Sequence, residues 1–370
     1  MIFGRQRLLI WVIVLVLGLG AFPPIFGSDT ETGSDAKFET RFLPLPVLFY
    51  RPQTSIAFGA QVKTIFRLGK NKHLTRPSSI TPEIIYTLKK QIIAKLLSDI
   101  YLAENQWHIS SKIDFRRFPD LFYGTGNDTS LDDEEDYTSR AWDIYLCGEH
   151  HLGASILLGG HFHFYDWTLT DTLSGGMLEN GTIPGSEGGT ASGLGFQLKF
   201  DTRDRIFYPH RGELFTIAFT SYHPTLGSTT QFSSLVIDLR KYLPLTPKQV
   251  VALQMRMETQ SGEVPFPLMS QLGGPDHLRG YYSGRFRDNN LFMIQAEWRY
   301  APIWRLGISV FAGLGQVTDS LTEFGLRNFN YSLGFGLRYL YNKRESMYAR
   351  MDFGWGSGSS GIYMEGDEAY

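Results

Sequence analysis

The residues best placed to do chemistry stand in short polar runs. Asp201, Arg203 and Asp204, followed by Pro209 and Gly212, lie in DTRDRIFYPHRG. Two carboxylates this close to a guanidinium suit an ion pair and a charge-tied turn better than acid–base catalysis. His161 and His163 alternate with Phe162 and Phe164, so both imidazoles leave one face of an extended strand. They could chelate a metal at i, i+2, but polar lining is the simpler reading, and no metal is assigned. Asp132–Asp136 is an unbroken acidic run without the glycine turn of an ordered calcium loop, so a solvated loop is expected. Residues 271–286, QLGGPDHLRGYYSGRF, set Leu278, Arg279, Gly280 and Tyr281 in a glycine-rich loop. The sequence has no G-x-S-x-G, no G-x-x-x-x-G-K and no H-E-x-x-H, and neither an enzyme nor a cofactor is expected. Cys147 is the one cysteine, read as a small buried side chain.

The elements that must position these residues are strands. In residues 250–259 Val251, Leu253, Met255 and Met257 oppose Gln254, Arg256 and Glu258. In 235–242 Leu235, Ile237 and Leu239 oppose Asp238 and Arg240. In 194–201 Leu194, Phe196, Leu198 and Phe200 oppose Gln197, Lys199 and Asp201. This period of two marks extended chain with two unlike faces. A soluble sandwich would also alternate. Here, however, the apolar face is aromatic near strand ends, as at Tyr331, Phe335, Tyr339, Tyr341, Phe353 and Trp355, while charges of both signs line the other face. Lipid outside and water inside produce that division. Charged residues are 19% of the 370 and the net charge is −2, so there is no basic excess for nucleic acid.

The one long apolar run is Leu8–Phe22, 15 uncharged residues after Arg5 and Arg7. It is short for a membrane-spanning helix and reads as the core of an export signal, residues 1–27. Residues 28–45 read as a short periplasmic tether. From residue 46 to 370 the pattern predicts an all-β fold, one transmembrane antiparallel β-barrel of about 16 strands in the bacterial outer membrane. Closure is required because a sheet edge in lipid would leave backbone groups unpaired. The first strand, near 46–51, is short and bounded by Pro46 and Pro52; the last runs over 361–370. Short turns at 244–246, 301–303 and 342–345 alternate with long loops at 119–136, 168–189 and 261–288, which assigns the short turns to the periplasm.

The loop at 271–286 resembles that of the bacterial surface-antigen family, the C-terminal barrel of the BamA and TamA assembly superfamily. Leu278-Arg279-Gly280-Tyr281 matches the family's loop-six motif, with Gly273-Gly274 before it. Ala296-Glu297-Trp298-Arg299 matches its twelfth strand, and Asp201, Arg203, Asp204, Pro209 and Gly212 match its periplasmic turn. The resemblance covers the chain from about residue 45. It implies that the loop folds into the barrel and that Arg279 pairs with inward acids. Parity supplies one of them, since Glu297 lies on the polar face. The second is missing, because 311–315 read Phe-Ala-Gly-Leu-Gly and Gly313 stands where the family has Asp.

The resemblance implies outer-membrane protein assembly, insertion or polypeptide translocation, through a weak seam between first and last strands. The partners it implies are outer-membrane lipid, unfolded outer-membrane proteins and a periplasmic docking protein, since the sequence shows no periplasmic domain before the barrel. The alternatives are a passive pore or transporter, with Asp238, Arg240, Arg256 and Glu258 setting selectivity, and a surface-interaction barrel using its outer loops.

Overall fold

The computed structural model describes residues 40–69, 75–153, 155–303, 305–343, 346–366 and 368–370. The expected signal at 1–27, and residues 28–39 of the expected tether, lie outside the described residues. Sixteen strands close into an antiparallel barrel. They are β1 Arg41–Arg51, β2 Ser55–Phe66, β3 Ser78–Thr87, β4 Ile92–Leu102, β5 Trp107–Phe122, β6 Glu135–His151, β7 Ile156–Thr172, β8 Gly189–Asp201, β9 Gly212–Tyr222, β10 Phe232–Thr246, β11 Gln249–Gly262, β14 Asn290–Ile303, β15 Leu306–Thr318, β16 Asn330–Asn342, β17 Met347–Gly356 and β18 Ser359–Glu365. Two short strands, β12 Ser270–Leu272 and β13 Phe286–Asp288, pair with each other inside the β11–β14 connection.

Period-two alternation is realised strand by strand. On β14 Leu291, Met293, Gln295, Glu297 and Arg299 are buried inside, while Phe292, Ile294, Ala296 and Trp298 face outward. Each outward apolar chain is left for lipid, and each inward polar one must find a partner in the lumen. The connections at 123–134, 173–188 and 263–289 are long and lie at one end of the barrel; those at 247–248 and 343–346 are short and lie at the other. The long-loop end is the outer end.

Both ends of the barrel sequence depart from expectation. β1 begins at Arg41, inside the segment read as a tether, and is not short: it pairs with β2 along its whole length, Arg41↔Ile65 to Arg51↔Ser55. β18 ends at Glu365 rather than Tyr370. Across the seam, β1 meets β18 at one registered pair among the described residues, Tyr50↔Met364. Continuing that register would set Gly366 opposite Leu48 and Glu368 opposite Pro46. Instead Ala369 and Tyr370 are buried with Tyr242, Val250 and Ala252 of β10 and β11, at the periplasmic end of the lumen.

The outer half of the lumen is filled as well. Phe122, Tyr137, Trp167, Leu178, Tyr222, Phe232, Val264, Phe266 and Met269 form one buried apolar cluster from strand ends and loops. The acidic run takes part in this cap. Glu135 is buried and accepts the N–H groups of Met177 and Leu178 at 2.7 and 3.1 Å, so it is a structural acceptor and not a solvated charge.

Candidate functional site

The β11–β14 connection enters the barrel and carries its motif to the inner wall. Arg279 is 1% exposed. Its Nη2 donates to Glu297 Oε2 at 2.5 Å and its Nη1 to Asp352 Oδ2 at 2.6 Å, and its guanidinium lies 3.6 Å from the centre of the Phe311 ring. Glu297 is the inward acid that parity placed in the lumen, and the family resemblance is what paired it with Arg279. The second acid, which the sequence seemed to lack, is Asp352 on β17. Its place at Gly313 is closed for a steric reason. A Cβ there would stand 3.0 Å from both Leu278 Cδ1 and Gln295 Cβ, so the loop's own leucine occupies the space a side chain would need.

The backbone of the motif lies against β17. A Cβ on Gly354 would come within 2.7 Å of Arg279 C, and one on Gly280, whose φ is +121°, within 2.8 Å of Trp355 C. Only glycine at both positions allows this approach. Inward Asp352, Gly354 and Gly356 therefore form a Asp-x-Gly-x-Gly groove that receives residues 279–281. Its signal in the sequence was that period-two spacing. Further bonds fix the loop: Tyr363 donates its hydroxyl to Tyr281 O at 2.6 Å, Gly280 N donates to Tyr363 Oη at 3.0 Å, and Ser359 Oγ donates to Gly280 O at 2.8 Å. Across the lumen, Tyr282 donates to Asp120 Oδ1 of β5 at 2.7 Å. One loop thus ties the last strands to the first half of the barrel.

Below the motif the ion pairs continue as a network. Arg338 Nη1 reaches Asp352 Oδ1 at 2.6 Å and its Nη2 reaches Glu297 Oε1 at 2.9 Å. Arg299 Nε reaches Glu297 Oε1 at 2.8 Å. Arg350 bridges Asp352 at 3.0 Å and Asp276 of the loop at 2.7 Å. The residues after β18 join from below: Arg338 Nε donates to both oxygens of Glu368 at 3.0 Å, and Arg299 Nη2 donates to Tyr370 O at 2.8 Å. Four arginines meet four carboxylates here among the described residues, three of the acid side chains buried and that of Asp276 half exposed. Such a cluster contributes little net stability when whole, but removing one member leaves an uncompensated charge. It specifies position: loop, wall and tail fit together in one arrangement.

The second motif is a tied turn, as its residues suggested. Arg203 Nε and Nη2 clasp Asp201 at 3.0 and 2.9 Å, and Asp204 Oδ1 accepts the N–H groups of His210 and Arg211 at 2.9 and 3.2 Å. Pro209 is buried, and Gly212 has a φ of +102°, with a Cβ there meeting Thr202 O at 2.3 Å. The turn crosses the periplasmic mouth. Tyr208 packs on Tyr348, ring centres 4.4 Å apart, and lies 5.7 Å from the Arg299 guanidinium. Through Tyr208, Arg299 and Glu297 the turn motif and the loop motif belong to one assembly, which their sequence separation did not suggest.

An Omp85 superfamily domain matches residues 185–355, a stretch that holds both motifs, Glu297 and Asp352. Over that stretch, just under half of its length, the chain is similar to the Omp85 superfamily domain. The barrel also resembles solved structures. BamA from Haemophilus ducreyi lacking POTRA domains 1-3 has a TM-score of 0.64 at 13% identity, over 90% of this chain and 70% of that one. CdiB from Escherichia coli gives 0.58 at 9%, over 90% and 67%. CdiB from Acinetobacter baumannii gives 0.53 at 12%, over 88% and 65%, so this chain spans less than two thirds of that protein. At these identities the likeness is one of fold. No curated protein sequence matches the chain. A closed sixteen-strand barrel with this apolar outward face is an outer-membrane barrel, and its outward side chains contact lipid.

The remaining residues singled out from sequence line the lumen. His163 Nδ1 is 2.6 Å from Tyr222 Oη and its Nε2 is 3.2 Å from Asp143 Oδ1; His161 Nε2 is 2.8 Å from Thr220 Oγ1. Both imidazoles thus have local hydrogen-bond partners. Asp238, Arg240, Arg256 and Glu258 pair among themselves, with Arg240–Asp238 at 2.8 Å, Arg256–Asp238 at 3.1 Å and Arg256–Glu258 at 2.6 Å. Cys147 is buried and accepts a hydrogen bond from Gln197.

Proposed function

We propose that this barrel inserts polypeptide into the outer membrane, or passes it across, by parting the seam between β1 and β18. The observation that carries this reading is the seam itself. Among the described residues one registered pair, Tyr50↔Met364, joins β1 to β18, against eleven between β1 and β2. A bidentate ion pair, Arg51 with Glu365, adds to it. Below Tyr50 no further registered pair with β18 is seen among the described residues, and Glu368, Ala369 and Tyr370 lie in the lumen instead. An unpaired edge is a template for another strand, and an incoming client strand could add there by main-chain hydrogen bonding. Pro44 and Pro46 lack N–H groups along this stretch, so any strand that adds there, β18 or a client, pairs through fewer main-chain donors.

In this reading the loop-six network is the fixed part. It holds β14 to β18 as one wall, so that opening is confined to the seam. The Omp85 superfamily match over residues 185–355 and the likeness in fold to BamA and CdiB support assembly or translocation as the general class. The partners are unfolded outer-membrane proteins and a periplasmic protein that delivers them. The packed loops above the lumen disfavour a passive pore. Depletion of the protein, followed by an inventory of outer-membrane barrels, tests the proposal: loss of client barrels supports it, and an unchanged inventory rejects it. Planar-bilayer recording tests the pore, since a stable open conductance insensitive to loop six would favour that instead.

A further inference from the structure

On the outer surface a cavity of about 780 Å³ lies across β9–β11 and β14–β16. Its geometry follows from the register. Outward residues Glu213, Lys241, Leu253, Ala296, Ala312 and Leu333 are successive cross-strand partners and form one row. A second outward row, two residues along each strand, begins at Phe215 and ends at Tyr331. The cavity is the channel between them, floored by backbone. It deepens at Ala296 and Ala312, where two neighbouring strands present methyl groups between Leu253 and Leu333.

The channel runs perpendicular to the strands. Because barrel strands tilt by about 35–45°, such a row climbs through the bilayer instead of circling it. It starts near the periplasmic rim, where Glu213 follows the first residue of β9, and ends at the outer rim, where Tyr331 is the second residue of β16. From β10 to β16 is four interstrand steps, about 19 Å at about 4.8 Å each. That is the length of a long acyl chain. At the lower end Lys241 and Glu213 form an ion pair, each side chain nearly half exposed, on a surface that is otherwise apolar.

We propose that this channel binds one phospholipid from the periplasmic leaflet, an acyl chain lying over Ala296 and Ala312 and a zwitterionic phosphate-and-amine headgroup on Lys241 and Glu213. The ammonium of Lys241 takes the phosphate and the carboxylate of Glu213 takes the amine. An anionic headgroup would gain the first contact and meet repulsion at the second. The lipid would be held against the outside of the wall whose inside carries Gln295, Gly313 and Ser332, next to loop six.

The test is native mass spectrometry of the intact barrel, reconstituted in vesicles containing equal phosphatidylethanolamine and phosphatidylglycerol and released in mild detergent. One retained phosphatidylethanolamine is expected. Ala312→Leu, which fills the channel with a side chain that lipid tolerates, should reduce retention about tenfold. Lys241→Ala with Glu213→Ala should abolish the preference between headgroups while heat-modifiable mobility stays unchanged. Equal retention by Ala312→Leu and the native protein overturns the proposal, and so does a native preference for phosphatidylglycerol.

Discussion

Arg279 and Asp352 are 73 residues apart and meet at 2.6 Å inside the barrel, with neither side chain more than 1% exposed. The acid that completes the loop-six clasp therefore comes from β17. A side chain at Gly313 would need Leu278 and Gln295 to shift, each lying 3.0 Å from where its Cβ would stand. Asp352→Ala leaves Arg279, Arg338 and Arg350 short of a counter-charge and should destabilise the loop by about 3–5 kcal/mol. Adding Gly313→Asp to that variant should not restore it. Proteolysis of loop 263–289 and heat-modifiable mobility read both outcomes.

Arg279→Lys should behave nearly as badly as Arg279→Ala. The guanidinium spans Glu297 and Asp352 with two nitrogens and lies flat on Phe311, and a lysine ammonium can do only part of this. Folded yield and protease resistance of the loop would fall for both. Recovery by lysine would show that charge alone matters at this position.

Much of this was legible in the sequence, for reasons that also mark where legibility stopped. Alternation gave the strands and put Glu297 on the inner face, because side-chain parity is a local property. Gly273-Gly274 and Arg279 marked an inward loop only through the family resemblance. Asp352 was not legible as the partner, because it lies on a strand reached only by counting register across β15 and β16. Tyr370 read as the end of a strand because aromatic residues close strands at membrane interfaces. Inside the fold the following residues prefer Arg299 and Arg338, whose positions depend on closure. β1 was read short because Pro44 and Pro46 look like a tether, whereas an edge strand tolerates both.

The turn motif should be sensitive at Gly212. With φ at +102° and Thr202 O where a Cβ would stand, Gly212→Ala should cost about 1–3 kcal/mol. Tyr208 would lose its seat on Tyr348, and faster urea unfolding in detergent would report it. A turn that is only a linker would leave the rate unchanged.

Asp288, on β13 at the outer rim, gives a pH dependence. Burial, with Asp319 and Glu323 nearby, outweighs the N–H of Asn289 and pushes its carboxyl up to about 6. Above that pH the folded loop bears the full cost of an ionised, poorly solvated group. As pH falls through 6 the folded state binds the proton first, so stability is gained and is complete below the ordinary carboxylate range. Loop 263–289 should resist protease better at pH 5 than at pH 7.5, and Asp288→Asn should remove the difference.

The seam is tested most directly by closing it. Tyr50 and Met364 are registered partners, so cysteines at both positions, in a Cys147→Ser background, can form a disulfide across β1 and β18. The measurement is the folding rate of a client barrel in liposomes containing this variant. Acceleration that vanishes in the oxidised protein and returns on reduction is the expected result. Acceleration unchanged by the disulfide, or none in either state, would contradict a working seam between β1 and β18.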